Sequence, residues 1–112
     1  NLLLVFDGDM KLNKLMLSKF YEMNKLLRTI NLEITYLNIN ARHAVELKLN
    51  NGFKIMLGRD ETMYRLKRFI SIYTKSLEKH VADIDVIDLR YTNGMAVSWK
   101  NIKKSLGDMN NV

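Results

Sequence analysis

Two glycine-centred turns, each flanked by alternating apolar residues, constrain this chain more than any other feature. Val45, Leu47 and Leu49 alternate with Glu46 and Lys48, and after Asn50-Asn51-Gly52 the alternation resumes with Phe53, Ile55 and Leu57. Alternation of this kind marks strands with one buried face. A two-residue Asn-Gly turn would pair Leu49 with Lys54 and mix the faces. A three-residue loop with Gly52 in the left-handed region pairs Leu49 with Phe53, Leu47 with Ile55 and Val45 with Leu57, which keeps one face apolar. The same reasoning over residues 84–99, around Thr92-Asn93-Gly94, pairs Tyr91 with Met95, Leu89 with Val97 and Ile87 with Trp99. Asp88, Arg90, Ala96 and Ser98 then lie on the opposite face.

Helical periodicity supplies a cover for the apolar face. Leu12, Leu15, Met16, Phe20, Met23, Leu27 and Ile30 recur at three- and four-residue steps, with Asp9 placed to cap their helix. Met63, Leu66, Phe69, Ile70, Tyr73 and Leu77 form a second stripe, with Asp60 or Thr62 as cap. Between the first helix and the first hairpin, residues 32–39 are rich in β-branched and aromatic side chains. Their apolar positions change parity between Tyr36 and Leu37, which predicts a bulge or a strand buried on both faces. Asn40-Ala41-Arg42-His43 reads as a turn. The expected fold is α+β, a largely antiparallel sheet of about five strands with two helices on one face. One domain should occupy residues 1–106, including a short helical or coil stretch over 100–106, and residues 107–112 should form a flexible tail.

Length and composition narrow the function classes. A chain of 112 residues makes one domain with one core. Nothing approaches the ~20 consecutive apolar residues of a membrane span. The chain starts at Asn1, and the apolar residues 2–6 are too few for a signal-peptide core, so the start reads as a cut from a longer protein. The net charge of +6 favours an acidic partner, a nucleic acid or an anionic surface. The absence of cysteine removes disulfides, thiolate metal sites and cysteine nucleophiles.

Few residues invite chemistry. His43 in a turn and His80 at a helix end have no second ligand at a metal-like spacing. No serine sits in a nucleophile-elbow context. Gly58-Arg59 lacks the further glycines and the Lys-Ser/Thr of a phosphate loop, so Gly58 is expected to allow a tight turn and Arg59 to form a nearby salt bridge. Asp88 is expected to pair with Arg90. Arg65, Lys67, Arg68, Lys75 and Lys79 on the second helix motivate an alternative reading, a basic nucleic-acid-binding module. They are interspersed with Glu61 and Glu78 and lack an aromatic platform, which favours a solvated helix face.

The last hairpin is different. A C-terminal strand is often a sheet edge with unpaired backbone groups, and Tyr91, Met95 and Trp99 are large. These three either fill the core, the better-supported role on pattern alone, or anchor a partner segment that adds a strand.

The stretch Asp88-Leu89-Arg90-Tyr91-Thr92-Asn93-Gly94-Met95-Ala96-Val97-Ser98-Trp99-Lys100 closely resembles the D-L-R-Y-x-x-G-x-A-V-x-W segment of the FtsQ/DivIB family of bacterial cell-division proteins. Leu47-Lys48-Leu49-Asn50-Asn51-Gly52 with Met56-Leu57-Gly58-Arg59 is similar to the family's L-x-L-x-N-G…L-G-R segment. Thr62-Met63-Tyr64-Arg65-Leu66-Lys67-Arg68-Phe69 resembles its next helix, and Asn40-Ala41-Arg42 its D-A-R turn. The resemblance implies the β domain of a single-pass inner-membrane protein, lying in the periplasm at the division site, without enzymatic activity, cofactor or small-molecule substrate. It implies binding of the FtsB–FtsL pair, whose C-terminal region adds a strand to the last strand of the sheet while an acidic helix meets the turn arginine. The partner-binding residues implied here are Arg42, Tyr91, Asn93 and Trp99. The sequence departs from the family pattern at Asn40, where the turn has Asp, and at Asn93, a position that can be Ser.

Overall fold

A computed structural model describes residues 3–6 and 14–100. The chain forms β1 (Leu3–Phe6), α1 (Lys14–Arg28), β2 (Ile34–Ile39), β3 (Val45–Leu49), β4 (Lys54–Gly58), α2 (Thr62–Ile72), β5 (Ile84–Asp88) and β6 (Ala96–Trp99). The strands make one sheet in sequence order, β1 to β6. Pairings β2–β3, β3–β4 and β5–β6 are antiparallel, whereas β1–β2 and β4–β5 are parallel. The arrangement is α+β as expected, with β1 added to the five strands read from the sequence. The expected cap Asp9, the stripe residue Leu12 and the tail 107–112 lie outside the described residues, as does nearly all of the 100–106 stretch.

The first hairpin follows its alternation. Leu47 pairs with Ile55 and Lys48 with Lys54, and the loop closes through Gly52 N–H to the Leu49 carbonyl at 2.9 Å. Gly52 has φ of 98°, the left-handed backbone that the three-residue loop requires. The expected pair Val45–Leu57 does not form: a bulge on β4 places Val45 opposite Gly58. On β2 a second irregularity puts Ile34 opposite Leu49 and Tyr36 opposite Lys48, leaving Thr35 as the extra residue. That bulge is how Ile34, Leu37 and Ile39 all face the core despite their change of parity.

The second hairpin departs from expectation. Ile87 pairs with Val97 and Asp88 with Ala96, two residues away from the predicted Leu89–Val97 alignment. A shift of two leaves every side chain on its own face, so alternation cannot distinguish the two registers. The observed one opens a connection of residues 89–95 instead of a three-residue loop. Leu89 turns back toward β4, donating its N–H to the Met56 carbonyl at 2.9 Å, and its side chain is fully buried.

The helices cover one face of the sheet and touch each other. Phe20, Met23 and Leu27 of α1 are buried, with Met16 and Ile30 packed against them. Leu15, expected on this stripe, is 67% exposed. It lies about 100° from its neighbour Met16 around the helix axis, off the narrower stripe that Met16, Phe20, Met23 and Leu27 define. Asn31, in the left-handed region at φ of 62°, ends the helix, with Leu32 N–H reaching the Leu27 carbonyl at 3.0 Å. Asn24 Oδ1 accepts from Ile34 N–H at 2.9 Å and ties α1 to β2.

On α2, Leu66 and Phe69 are buried and Met63 and Ile70 half-buried. The helix widens into a π turn (Tyr73–Leu77), which holds both Tyr73 and Leu77 in the core, and then tightens into a 3-10 segment (Glu78–Asp83). Phe69 and Tyr73 meet Phe53 at the start of β4, with ring centroids 6.0 and 6.5 Å away. Neither expected cap forms. The position before the helix is Glu61, left-handed at φ of 51° and without a side-chain cap bond, while Thr62 is already the first, buried helical residue.

Gly58 is the tightest point of the β4–α2 turn. Its φ is 74°, and a Cβ there would lie 2.8 Å from Arg65 Nη1 and 3.1 Å from Arg90 Cγ. Arg59, expected to form a salt bridge, has none among the described residues. Gly58→Ala is expected to cost about 1–3 kcal/mol through left-handed strain, with displacement of Arg65. Urea unfolding should show a lower midpoint at an unchanged slope.

Candidate functional site

Three loops share one end of the sheet. The β2–β3 turn carries Arg42, the β4–α2 turn carries Arg59, and the β5–β6 connection carries Arg90, Tyr91 and Asn93. Their common position follows from the pairings: Val45 sits opposite Gly58, and Leu89 bonds Met56. Within the first loop, Asn40 Oδ1 accepts from Arg42 N–H at 2.9 Å and Ala44 N–H at 3.0 Å. Asn40 thus does the acceptor work of a turn aspartate without adding a negative charge beside Arg42. His43 is left-handed at φ of 66° and exposed. The Arg42 side chain is exposed, and its guanidinium has no partner among the described residues.

The β5–β6 connection is held by two arginines. Arg90 folds back on Asp88: its N–H, Nε and Nη2 donate to the carboxylate at 3.0, 2.9 and 2.8 Å. This is the ion pair expected from the sequence. The hydrogen-bonded guanidinium holds the Asp88 carboxyl below the usual carboxylate range, with a further contribution from the charge of Arg65. Arg68 reaches the connection from α2. Its Nη1 donates to the carbonyls of Gly94 at 2.6 Å and Tyr91 at 3.2 Å, and its Nη2 to that of Thr92 at 3.1 Å. Its guanidinium lies 5.5 Å from the centre of the Tyr64 ring. Arg65 likewise donates to the Leu57 carbonyl at 2.8 Å.

These contacts revise the basic face of α2. Arg65 and Arg68 bind main-chain carbonyls of their own domain, which leaves Lys67, Lys75 and Lys79 as its exposed cations. Arg68 is the residue that sequence reasoning missed. Its acceptors are backbone carbonyls, which carry no side-chain identity and leave no motif.

The other candidate residues form a track rather than a pocket. Tyr91 is 51% exposed and Asn93 is exposed. From the connection, β6 runs back along the sheet to Trp99, which lies opposite Ile84. Ala96 to Trp99 covers roughly 10 Å at the rise of a strand. Trp99 is half-buried: it packs against the core and stands edge-on to His80 with ring centroids 6.2 Å apart. Met95 is also half-buried against the core. Arg42 lies across the end of the sheet, two to three strand spacings from the connection, or about 10–15 Å. β6 closes the sheet order, so among the described residues no strand pairs with its outer edge. The described residues hold no cluster of three or more metal-ligating side chains. None of their helices is long and apolar enough to cross a membrane.

Comparison with known proteins places this architecture. The family described as "Cell division protein FtsQ/DivIB, C-terminal" matches residues 1–90. Curated relatives named cell division protein FtsQ include those of Shewanella oneidensis, 39% identical over 83 residues, and Escherichia coli, 36% identical over 86 residues. Each alignment covers 74% of this chain and 31% of the relative. That of Cellvibrio japonicus is 35% identical over 83 residues, covering 74% of this chain and 26% of the relative. The chain belongs to the FtsQ/DivIB family of cell-division proteins and spans about a third or less of these relatives' length. The family match ends at Arg90, so Tyr91, Asn93 and Trp99 lie beyond it.

The Asp88–Arg90 pair makes stability depend on pH. A carboxyl held below its unfolded value contributes stability that is complete above the unfolded pKa, about 4, and is lost as pH falls through the lower folded value. Glu33, bonded to Arg28 at 2.7 Å, acts in the same direction. Asp88→Asn should lower stability at neutral pH by about 1 kcal/mol or less, because Arg90 is half-exposed. The gap to the parent chain should begin to narrow near pH 4 and close as pH falls through the lower folded value, as followed by denaturation at several pH values.

Proposed function

We propose that this chain is a non-catalytic docking domain of the division machinery, which binds the FtsB–FtsL pair by strand addition along β6. The observation that carries the reading is that no strand pairs with the outer edge of β6 among the described residues, beside an exposed Tyr91. An unpaired edge offers a row of main-chain donors and acceptors to an extended segment, and an aromatic at its head anchors that segment. Arg42 then receives an acidic helix of the partner, and Asn93 lies in the connection at the head of the track. Trp99 covers the far end of the added strand with the part of its ring that the core leaves free. The net charge of +6 suits an acidic partner and raises the rate of encounter. Following the family resemblance, the domain lies in the periplasm as the distal part of a single-pass inner-membrane protein at the division site.

Calorimetry with the purified FtsB–FtsL pair tests this. Tyr91→Ala should weaken binding by about 2 kcal/mol, near thirtyfold in Kd, with the melting temperature unchanged. Trp99→Ala should weaken binding too, but with some loss of stability, since part of the ring packs on the core. Normal binding by the Tyr91 variant would refute the edge as the docking site. Tight, salt-steep binding of DNA by the parent chain would favour the nucleic-acid reading instead.

Arg42→Glu separates the turn from the strand. An exposed turn cation contributes within about 0.5 kcal/mol to stability, so melting should not change. Reversing its charge against an acidic helix should weaken binding more than truncation to alanine does. A Glu→Arg change on the partner should restore part of the loss. Unchanged affinity for Arg42→Glu would remove this residue from the site without touching the role of β6.

A further inference from the structure

We propose that Arg68 is a positioning residue for the docking edge: it holds the β5–β6 connection in the shape that presents Tyr91 and starts β6. The inference rests on the proposed function above. It is carried by one guanidinium that donates to three carbonyls of the same connection, those of Tyr91, Thr92 and Gly94, at 3.2, 3.1 and 2.6 Å.

The connection needs such a brace. Residues 91–94 adopt neither helix nor strand, and all four are exposed. Gly94, left-handed at φ of 70°, has nothing within 4 Å of where a Cβ would stand, so packing does not hold that corner. The other constraints on this connection act at its two ends: Asp88 holds Arg90, Leu89 is buried and bonded to Met56, and Met95 packs against the core, which leaves residues 91–94 to Arg68. Four exposed residues without this brace would sample many shapes, and a partner would have to order them on binding. Arg68 removes that cost in advance. It stands on α2, a rigid element, and the Tyr64 ring beside its guanidinium limits where the fork can point. A lysine at this position would offer a single point of donation and could not span the three carbonyls.

The prediction is a loss of preorganisation with the fold intact. In Arg68→Met, which keeps the apolar stem, backbone order parameters measured by NMR should fall in residues 91–94 and stay unchanged in β3 and β4. Affinity for the FtsB–FtsL pair should fall about tenfold, as expected for charge-assisted bonds at a partly solvated site. Arg68→Lys should recover little of it. In Arg68→Ala, millimolar guanidinium should restore binding when compared with the same concentration of sodium chloride, which a role in general packing would not allow. The loss from Arg68→Met should shrink in a Tyr91→Ala background, because both changes act on the same anchor.

The outcomes are separable. If Arg68→Met binds normally with unaltered order parameters while Tyr91→Ala is impaired, Arg68 is not a positioning residue and the docking reading stands. Lower order parameters at 91–94 with normal affinity also overturn the proposal, since the brace would then serve the loop alone. If Tyr91→Ala binds normally, the docking reading fails and takes the role of Arg68 in it down as well.

Discussion

The stacking of Phe53 against Phe69 and Tyr73 is the contact on which the rest of this domain depends. Phe53 stands just before β4, Phe69 lies on α2 and Tyr73 opens the π turn that follows it, with mutual centroid distances from 5.3 to 6.5 Å. Burial of each ring is worth roughly 1.5–3 kcal/mol, and the contact between rings adds to it. The geometric effect matters more than the energy. It seats the crossover helix on the sheet, so β5 returns parallel to β4 and β6 becomes the last strand. It also fixes the turn of α2 from which Arg65 and Arg68 extend. The loops at the end of the sheet are therefore set by a core contact that none of their own residues makes.

The division between legible and illegible parts of the fold follows from what each residue can encode. Gly52 encodes a backbone conformation, so the loop of the first hairpin and the pairing of Leu47 with Ile55 could be read, while the bulge that moves Val45 from Leu57 to Gly58 could not. The change of parity between Tyr36 and Leu37 left a bulge or a strand buried on both faces open, and the structure resolves it as a bulge at Thr35 that lets Ile34 and Leu37 both face the core. The second hairpin carries an equally plain turn signal, yet its register lies two residues away. Parity is blind to a shift of two, and the contacts that accompany the observed register are tertiary: the burial of Leu89 beside β4 and the grip of Arg68. Residues 3–6 escaped because a short apolar run gives no periodicity, and its parallel pairing with β2 depends on a partner more than thirty residues away.

For the candidate site, the identities of the residues were legible and their exposure was not. Tyr91 and Trp99 look alike in the alternation pattern, as large side chains two strand faces could equally bury. The structure separates them. Tyr91 stands beyond the ordered strand, where the connection lifts it off the sheet, and Trp99 lies on the inner face of β6, half covered. A shift of register by two produces this difference, since the predicted tight loop would have kept Tyr91 paired with Met95 inside the ladder. The error in register and the exposure of the aromatic are one fact.

That link bears on how such an edge can be both open and safe. An unpaired strand flanked by an aromatic is a template for unwanted pairing, and proteins commonly blunt such edges by keeping them short or by charge. Here β6 is four residues long, with Ala96 and Ser98 as its outward side chains. It offers few main-chain bonds by itself, too few to hold a stray strand against the entropy of ordering it. A partner that also reaches Tyr91 and, across the end of the sheet, Arg42 gains contacts that a generic strand does not. On the proposed reading, specificity thus comes from the length of the track: each segment is weak alone, and the spacing between them, held by α2 through Arg68, is what a correct partner must match.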